Sequence, residues 1–223
     1  MTSTLAHYVQ TDAVQPKALP GFSHINRYWD KRHHAYAAKI APGEFYVTSG
    51  EEIIVTTLGS CISACIWDTK TGVGGMNHFM LPSKNAYSTP KKEKKDFFDQ
   101  ESTRYGNWAM EYLINEILKN GGSREDLKAK LFGGGRVLNG MNQYDVGDNN
   151  IQFIKRFVAL EKLNVVAQDL GGVCPRKVLF YPCTGKAKVR KLTKVKNNTI
   201  ATREKQYSTA LAKSTSVGEV ELF

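Results

Sequence analysis

Short apolar runs separated by turns dominate the first half of the chain. Residues 44–49, 53–58 and 62–67 are rich in β-branched and aromatic side chains, which predicts three strands. Asp68 ends the third run, and after a turn the chain returns through 74–77. We therefore expect this half of the chain to consist mainly of β-structure.

The apolar spacing changes to a helical period in the middle of the chain. Six side chains recur there at intervals of three and four residues: Tyr105, Trp108, Ala109, Tyr112, Leu113 and Ile117. This spacing predicts a helix over 105–119 with its aromatic stripe in the core, ended by the glycines at 121–122. A second helix is expected over about 150–163, capped by Asp148 or Asn149.

Strand patterns return around and after the second helix. Residues 128–132, 165–170, 178–183 and 186–192 predict four more strands, and the last two flank a hairpin at 184–185. Strands therefore cluster at both ends of the domain, with two helices between them. This order predicts an α+β fold rather than a regular alternation of strand and helix.

Composition divides the chain into three parts. Prolines interrupt any regular pattern in 1–40, which we interpret as an N-terminal extension. Residues 41–193 form the predicted folded domain, which includes a polar, lysine-rich loop at 83–103. The apolar density falls after residue 193, so 194–223 is expected to be a basic, mobile tail.

The charge and the hydropathy of the chain indicate which kinds of partner, among nucleic acids, proteins and membranes, are expected. The formal net charge is +10, and the positive residues concentrate in 91–95 and 186–205. Neither segment carries aromatic residues at the regular spacing of a base-stacking surface, so no nucleic-acid partner is predicted. Such segments can instead attract an acidic protein. Without a signal-peptide pattern or an apolar run of roughly 20 residues, we expect a cytoplasmic protein with no direct membrane insertion.

The four cysteines lie at positions 61, 65, 174 and 183, and no two of them form a C-x-x-C pair. This spacing predicts neither a zinc site nor a disulfide framework. The three glycines at 133–135 follow a predicted strand but lack a nucleotide-binding motif, so we assign them to close backbone approach. No metal and no cofactor are expected.

Cys61 and His78 are the strongest candidates for chemistry. Cys61 follows Gly59 and Ser60 directly after a predicted strand, and His78 follows a glycine-rich return segment. A thiolate is a nucleophile, and a neighbouring imidazole can take its proton. Glycines allow a substrate to approach the backbone closely. A buried core thiol and a structural histidine are the alternative interpretation, because two residues alone make a weak motif.

The whole stretch around these two residues carries a more specific pattern. Residues 55–82 read VTTLGSCISACIWDTKTGVGGMNHFMLP. The LGSC and GGMNHFMLP segments, joined by a short strand that ends in aspartate, resemble the signature of the CheD family of chemoreceptor glutamine deamidases. Further matches to the family are Gly171, Gly172, Arg176, Thr184, Gly185, Lys186, Val189, Arg190 and Lys191. The resemblance runs from about residue 43 to 193.

The resemblance implies roles for individual residues. Cys61 would be the nucleophile, His78 its partner, and either Thr56 or Thr57 a third participant. Backbone N–H groups near 59–61 are reasonable donors to an oxyanion. The implied fold is a layered arrangement of mixed β-sheets flanked by helices, resembling the catalytic fold of toxin-type glutamine deamidases.

The implied reaction is hydrolysis of specific glutamine side chains in the cytoplasmic domains of chemoreceptors. It would yield glutamate and ammonia through a cysteine thioester. An adaptor that binds receptors or a CheC-type phosphatase with little catalysis is the main alternative. A thiol peptidase and a basic nucleic-acid-binding protein with a structural cysteine also stay open.

Overall fold

The computed structural model describes residues 14–82, 101–137, 144–193 and 198–214, and these contain ten strands and three helices. The strands are β1 (Asn26–Asp30), β2 (Ala35–Lys39), β3 (Phe45–Thr48), β4 (Glu52–Leu58), β5 (Ile62–Asp68), β6 (Gly74–Asn77), β7 (Leu127–Gly133), β8 (Asn164–Leu170), β9 (Arg176–Tyr181) and β10 (Lys186–Lys191). The helices are α1 (Glu101–Lys119), α2 (Tyr144–Leu160) and α3 (Asn198–Ser214). The strands predicted from the apolar pattern, the hairpin between β9 and β10 and the helix at 105–119 are confirmed.

The strands form two five-stranded sheets. The first has the order β1-β2-β4-β9-β10, and the second has the order β3-β6-β5-β7-β8. Each sheet contains one parallel pair, β2 with β4 and β7 with β8, while the other pairs are antiparallel. Both sheets are therefore mixed, which confirms the predicted α+β class.

The main core lies around β5, the central strand of the second sheet. All seven residues of β5 are buried. Helices α1 and α2 pack on this sheet, and the rings of Trp67 and Phe180 meet at a centroid distance of 5.9 Å to join it to the first sheet. A strand covered on both faces is expected to be largely apolar, as 62–67 is apart from Ser63.

Residues 59–61 form the short link that carries the chain from β4 in the first sheet to β5 in the second. The glycines that follow β7 lie directly against this link. Gly134 N donates to the Cys61 carbonyl at 2.8 Å, and Gly135 N donates to the Gly59 carbonyl at 2.7 Å. Gly133 has a φ of +113°, and a side chain there would collide with the Cys61 carbonyl. The close backbone approach predicted for 133–135 is confirmed.

The segment interpreted as an N-terminal extension contributes β1 and β2 to the first sheet. Parallel pairing of β2 with β4 places this segment beside the strand that leads to Cys61. The buried carboxylate of Glu52 on β4 accepts hydrogen bonds from Arg27 on β1, at 2.8 Å, and from Tyr46 on β3, at 2.8 Å. A contact of this kind between separate segments leaves no signal in local composition.

The aromatic stripe predicted as core on α1 is only partly buried, so that prediction is wrong for two residues. Trp108 is 55% exposed and Tyr112 is 46% exposed. Leu113 and Ile117 of the predicted set are buried, and they share the buried face with Met110 and Ile114. A large aromatic side chain fits the apolar spacing whether it lies at the centre or at the edge of the buried helix face. The spacing alone therefore included two residues that lie at the exposed edge.

Two further boundaries differ from the sequence predictions. Helix α2 begins at Tyr144, so Asp148 lies inside the helix, where it pairs with Arg136 at 2.8 Å rather than capping the N-terminus. Most of the loop predicted at 83–103, including the lysines at 91–95, lies outside the described residues, and α1 begins within its last part.

The segment expected to be a mobile tail contains helix α3. Glu204 and Leu211 on this helix are buried against the domain. Apart from Glu204, the helix has only a few apolar residues, which are widely spaced among lysines and threonines. Low apolar density therefore concealed a packed helix, because a helix can dock through a single narrow stripe.

Candidate active site

Cys61 and His78 lie on two adjacent segments of the chain. Ile62 and Phe79 exchange backbone hydrogen bonds of 2.8 and 2.9 Å and form an antiparallel bridge. In that register Cys61 and His78 project from the same face as diagonal neighbours. Both are buried, with 0% and 2% of their surface exposed. The bridge thus places the predicted thiol and imidazole on the same face of two adjacent segments.

The backbone and the ring of His78 are both held in place. His78 N donates to the Glu44 carbonyl at 2.9 Å, and Gly43 N donates to the His78 carbonyl at 2.7 Å. On the ring, Nδ1 lies 2.8 Å from the hydroxyl of Thr56, and that hydroxyl lies 3.0 Å from the carbonyl of Ile40. Residues 40–44 and strand β4 therefore hold His78 in place.

These contacts determine the tautomer of His78. The Ile40 carbonyl can only accept, so the single proton of the Thr56 hydroxyl is donated to it. Thr56 must then accept the hydrogen bond from Nδ1–H of His78, which leaves the lone pair on Nε2. Nε2 is buried, and among the described residues it has no hydrogen-bond partner. It is therefore available to take a proton from a nearby group.

Thr57 occupies a different position from Thr56. Successive side chains of a strand point to opposite faces, so Thr57 projects away from the side on which Thr56 meets His78. It is half-buried, whereas Thr56 is 2% exposed. Of the two candidate threonines, the structure brings Thr56 to the histidine.

Both reacting groups are neutral in this arrangement. Burial lowers the pKa of His78 from 6.5 to about 3, so the imidazole is uncharged near neutral pH. Burial, and then the negative charge and hydrogen bond of the Glu204 carboxylate, raise the pKa of the Cys61 thiol well above its usual value. The site therefore holds a thiol and a neutral imidazole rather than an ion pair.

A sequence profile describing CheD chemotactic sensory transduction matches residues 80–191. A probable chemoreceptor glutamine deamidase CheD from Halorhodospira halophila is 52% identical over 208 residues, which cover 93% of this chain and 94% of that protein. Proteins of the same description from Saccharophagus degradans and Methylobacillus flagellatus are 49% and 48% identical, over 96% and 89% of this chain and 97% and 95% of their own.

The chain belongs to the CheD family. The resemblance inferred from the LGSC and GGMNHFMLP segments is thereby confirmed. The CheD profile begins after both Cys61 and His78, but the alignments with whole relatives extend over nearly the full chain. The likeness to toxin-type deamidases stays a prediction.

Glu204 on α3 is the unexpected member of this CheD-family site. Its oxygens accept from the backbone N–H groups of Gly59 at 2.9 Å, Ser60 at 3.0 Å and Cys61 at 3.3 Å. The Ser60 hydroxyl donates a fourth bond at 2.7 Å. These are the amide groups that the sequence marks as oxyanion donors. Glu204 itself was missed, because it lies in a segment with no motif.

Asn150 on α2 is a second residue that sequence reasoning missed. Its side-chain NH₂ donates to the Ser60 carbonyl at 2.9 Å, and its side-chain oxygen accepts from Leu81 N at 2.8 Å. The residue is 0% exposed. It thus ties the link before Cys61 to the segment after His78, which keeps the two halves of the CheD signature in register.

A cleft of about 680 Å³ reaches the site from the surface. Thr56, Thr57, His78 and Glu204 are among the residues that line it. Toward the surface it is lined by the positive side chains Lys39, Arg190 and Arg203, among others. An acidic protein surface would be attracted to this entrance.

Within the described ranges, no group of three or more histidine, cysteine, aspartate or glutamate side chains is arranged to hold a metal ion. In those ranges there is also no helix of the length and hydropathy needed to cross a membrane.

The buried His78 predicts a pH dependence of stability. The unfolded chain binds a proton on this residue below about pH 6.5, whereas the folded chain binds it only near pH 3. Stability is therefore fully present above 6.5 and is lost as the pH falls through this window, by up to about 1.4 kcal/mol per pH unit. Urea unfolding near pH 7 and near pH 5 should show this loss in the wild type, and His78→Asn should reduce it.

His34→Asn is the matched control for that measurement, because His34 is exposed. It should retain the wild-type dependence on pH. Equal pH dependence in the wild type and His78→Asn would contradict the assignment of a neutral, buried imidazole.

Proposed function

We propose that this chain hydrolyses the side-chain amide of glutamine residues in the cytoplasmic domains of chemoreceptors. The products are glutamate and ammonia. The observation that carries the proposal is the hydrogen bond from His78 to Thr56, which leaves Nε2 free to accept a proton on the face that also carries Cys61. The relatives that cover almost the whole chain are described as probable chemoreceptor glutamine deamidases, which supports the same reaction.

In the first half of the proposed reaction, the Cys61 thiol attacks the amide carbon of the substrate. Its proton passes to His78 Nε2, and a carbon–sulfur bond forms while negative charge develops on the carbonyl oxygen. The N–H groups of 59–61 point to one place and can stabilise that charge without reorganisation. Thr56 supports the imidazolium through its hydrogen bond to Nδ1.

In the second half, the carbon–nitrogen bond breaks and the leaving nitrogen takes the proton from His78 as ammonia departs. Water then attacks the thioester, with His78 as general base, and the thiol is released together with the glutamate side chain. Every proton transfer uses the same imidazole nitrogen. These reaction steps require no cofactor.

The proposal is tested by incubating the protein with the cytoplasmic domain of a chemoreceptor from the same organism. Peptide mass spectrometry in heavy-oxygen water should show specific glutamines converted to glutamate with one labelled oxygen. Conversion only at a few sites, and only with enzyme present, is the expected result. Cleavage of the receptor backbone instead would favour a peptidase.

Binding without conversion would favour the alternative role. In that case the chain would act as an adaptor for receptors or for a CheC-type phosphatase. The observation that favours this alternative is the buried carboxylate of Glu204 in contact with the Cys61 backbone, because it leaves no free oxyanion donors in this state. Pull-down with each partner, measured beside the conversion assay, separates the two roles.

A further inference from the structure

One face of α3 covers the active site. Ile200, Glu204, Tyr207 and Leu211 recur at intervals of four, three and four residues, so they lie on the same side of the helix. Glu204 is 2% exposed and Leu211 is 6% exposed, while Gln206 between them faces solvent. A buried charge in the middle of a largely apolar face is costly unless it is fully paired. Its partners therefore explain why the helix docks here.

The partners of Glu204 are the groups that the proposed reaction needs. Three successive backbone N–H groups, from Gly59 to Cys61, donate to its two oxygens. These donors are placed to stabilise the oxyanion of the reaction. A glutamate side chain is also its product. Glu204 thus presents the chemical group of the product, on a helix, beside the nucleophile.

The surface beneath α3 is shaped to receive this helix. A Cβ atom added at Gly59 would lie 2.7 Å from Glu204 Oε1, and one added at Gly43 would lie 2.9 Å from the ring of Tyr207. The hydroxyl of Tyr207 also hydrogen-bonds to the hydroxyl of Tyr105 on α1. The two glycines therefore allow α3 to come close to the site. The hydrogen bond between the two tyrosines anchors the turn of α3 that follows Glu204.

We propose that α3 is a built-in product mimic that closes the active site, and that the receptor segment binds as a helix in its place. This inference rests on the proposed glutamine deamidation. The substrate glutamine would lie where Glu204 lies. Its helix would carry apolar residues at the positions corresponding to Ile200, Tyr207 and Leu211. Since Cys61 and His78 are almost fully covered, α3 must move aside before a receptor can react.

The state of the thiol agrees with a closed, resting site. Burial, and then the negative charge of Glu204 on α3, raise the pKa of Cys61 and keep it protonated. Displacement of the helix removes the carboxylate and admits water. Both changes favour the thiolate, which is the reactive form.

The first test converts the mimic into a substrate. In Glu204→Gln the side-chain amide takes the place of the carboxylate, and Cys61 is expected to hydrolyse it in the same molecule. One water is consumed, one ammonia is released, and the residue returns to glutamate with one oxygen from solvent. Mass spectrometry of the purified full chain in heavy-oxygen water should detect that oxygen at position 204. The exposed Gln206, in the same peptide region, should stay unchanged.

Two further proteins make this test decisive. The double variant Glu204→Gln, Cys61→Ala should retain the new glutamine. Glu204→Gln should also be assayed on a receptor domain. An intact glutamine at 204 in a protein that deamidates the receptor would overturn the product-mimic inference and leave the proposed function standing. Conversion of neither substrate would overturn both.

The second test measures access to Cys61. Glu204→Ala removes the carboxylate but keeps a residue that favours helix, so only the contact with the site is lost. Alkylation of Cys61 by iodoacetamide should become about tenfold faster or more, because hydrogen bonds to a charged group are among the stronger ones. Receptor deamidation should rise as well.

The matched control is Lys205→Ala, at the exposed neighbouring position of the same helix. Its alkylation rate should equal that of the wild type. A rate for Glu204→Ala that is unchanged or lower would show that α3 does not close the site and would overturn the inference.

Discussion

Replacing Cys61 with alanine is expected to abolish receptor deamidation. The rate should fall by at least about 10⁴-fold, since loss of a catalytic nucleophile removes the covalent route altogether. Conversion of receptor glutamines, followed by mass spectrometry over long incubations, measures the residual rate. Binding of the receptor domain should persist, because the N–H groups of 59–61 belong to the backbone and stay in place.

Cys65→Ala is the control for this prediction. Cys65 lies on β5, four residues after Cys61, and like Cys61 it is 0% exposed. Its side chain packs in the core and does not line the cleft that contains His78, so the variant should deamidate the receptor at a rate near that of the wild type. A Cys61→Ala protein that still converts glutamines efficiently would refute the role of this thiol. Thermal unfolding of both variants checks that each one folds.

The second large effect is expected for His78→Asn. The asparagine amide can still donate to Thr56 in the manner of Nδ1, but it has no equivalent of the Nε2 lone pair. Proton transfer from the thiol and to ammonia is then lost, and general acid–base catalysis of this kind contributes about 10²–10⁴-fold. The turnover number should fall by that factor with little change in receptor affinity. Turnover similar to the wild type would exclude His78 as the proton carrier.

Thr56 and Thr57 offer a matched pair for the same experiment. Thr56→Val removes the acceptor for His78 Nδ1–H and should lower turnover about ten- to a hundredfold, since hydrogen bonds to a charged group contribute about 1.5–3 kcal/mol. Thr57→Val, on the opposite face of β4, should leave turnover near the wild-type value. A larger loss from Thr57→Val than from Thr56→Val would reverse the assignment.

The local pattern of apolar residues was sufficient to predict those elements whose formation depends on neighbouring residues. The runs at 53–58 and 62–67 are strands because β-branched and aromatic side chains fit a pleated, buried surface. The helix at 105–119 follows from the spacing of its apolar residues. Its buried face did not, because Trp108 and Tyr112 match the same spacing from the solvent-exposed edge. The spacing of apolar residues therefore predicts that a helix has a buried face, but it does not decide which residues at the edge of that face are buried.

The sequence by itself determined the family, the α+β class and the thiol–imidazole pair. Cys61 and His78 stand out because each follows a glycine-rich break after a strand, a signal carried by neighbouring residues. Their diagonal placement then depends on one bridge, between Ile62 and Phe79, which the closely spaced strands make possible.

Only the tertiary structure decided the rest of the site. Thr56 was distinguished from Thr57 by the face of β4 that meets His78, and adjacent threonines look alike in sequence. Glu204 reaches the N–H of Gly59 across 145 residues, and Asn150 reaches the Ser60 carbonyl across 90. Such contacts form only when separate elements pack together. The composition and the periodicity of the sequence near Glu204 and Asn150 therefore could not predict them. Hence the sequence predicted a mobile tail at the very segment where folding places a carboxylate against the backbone of Cys61.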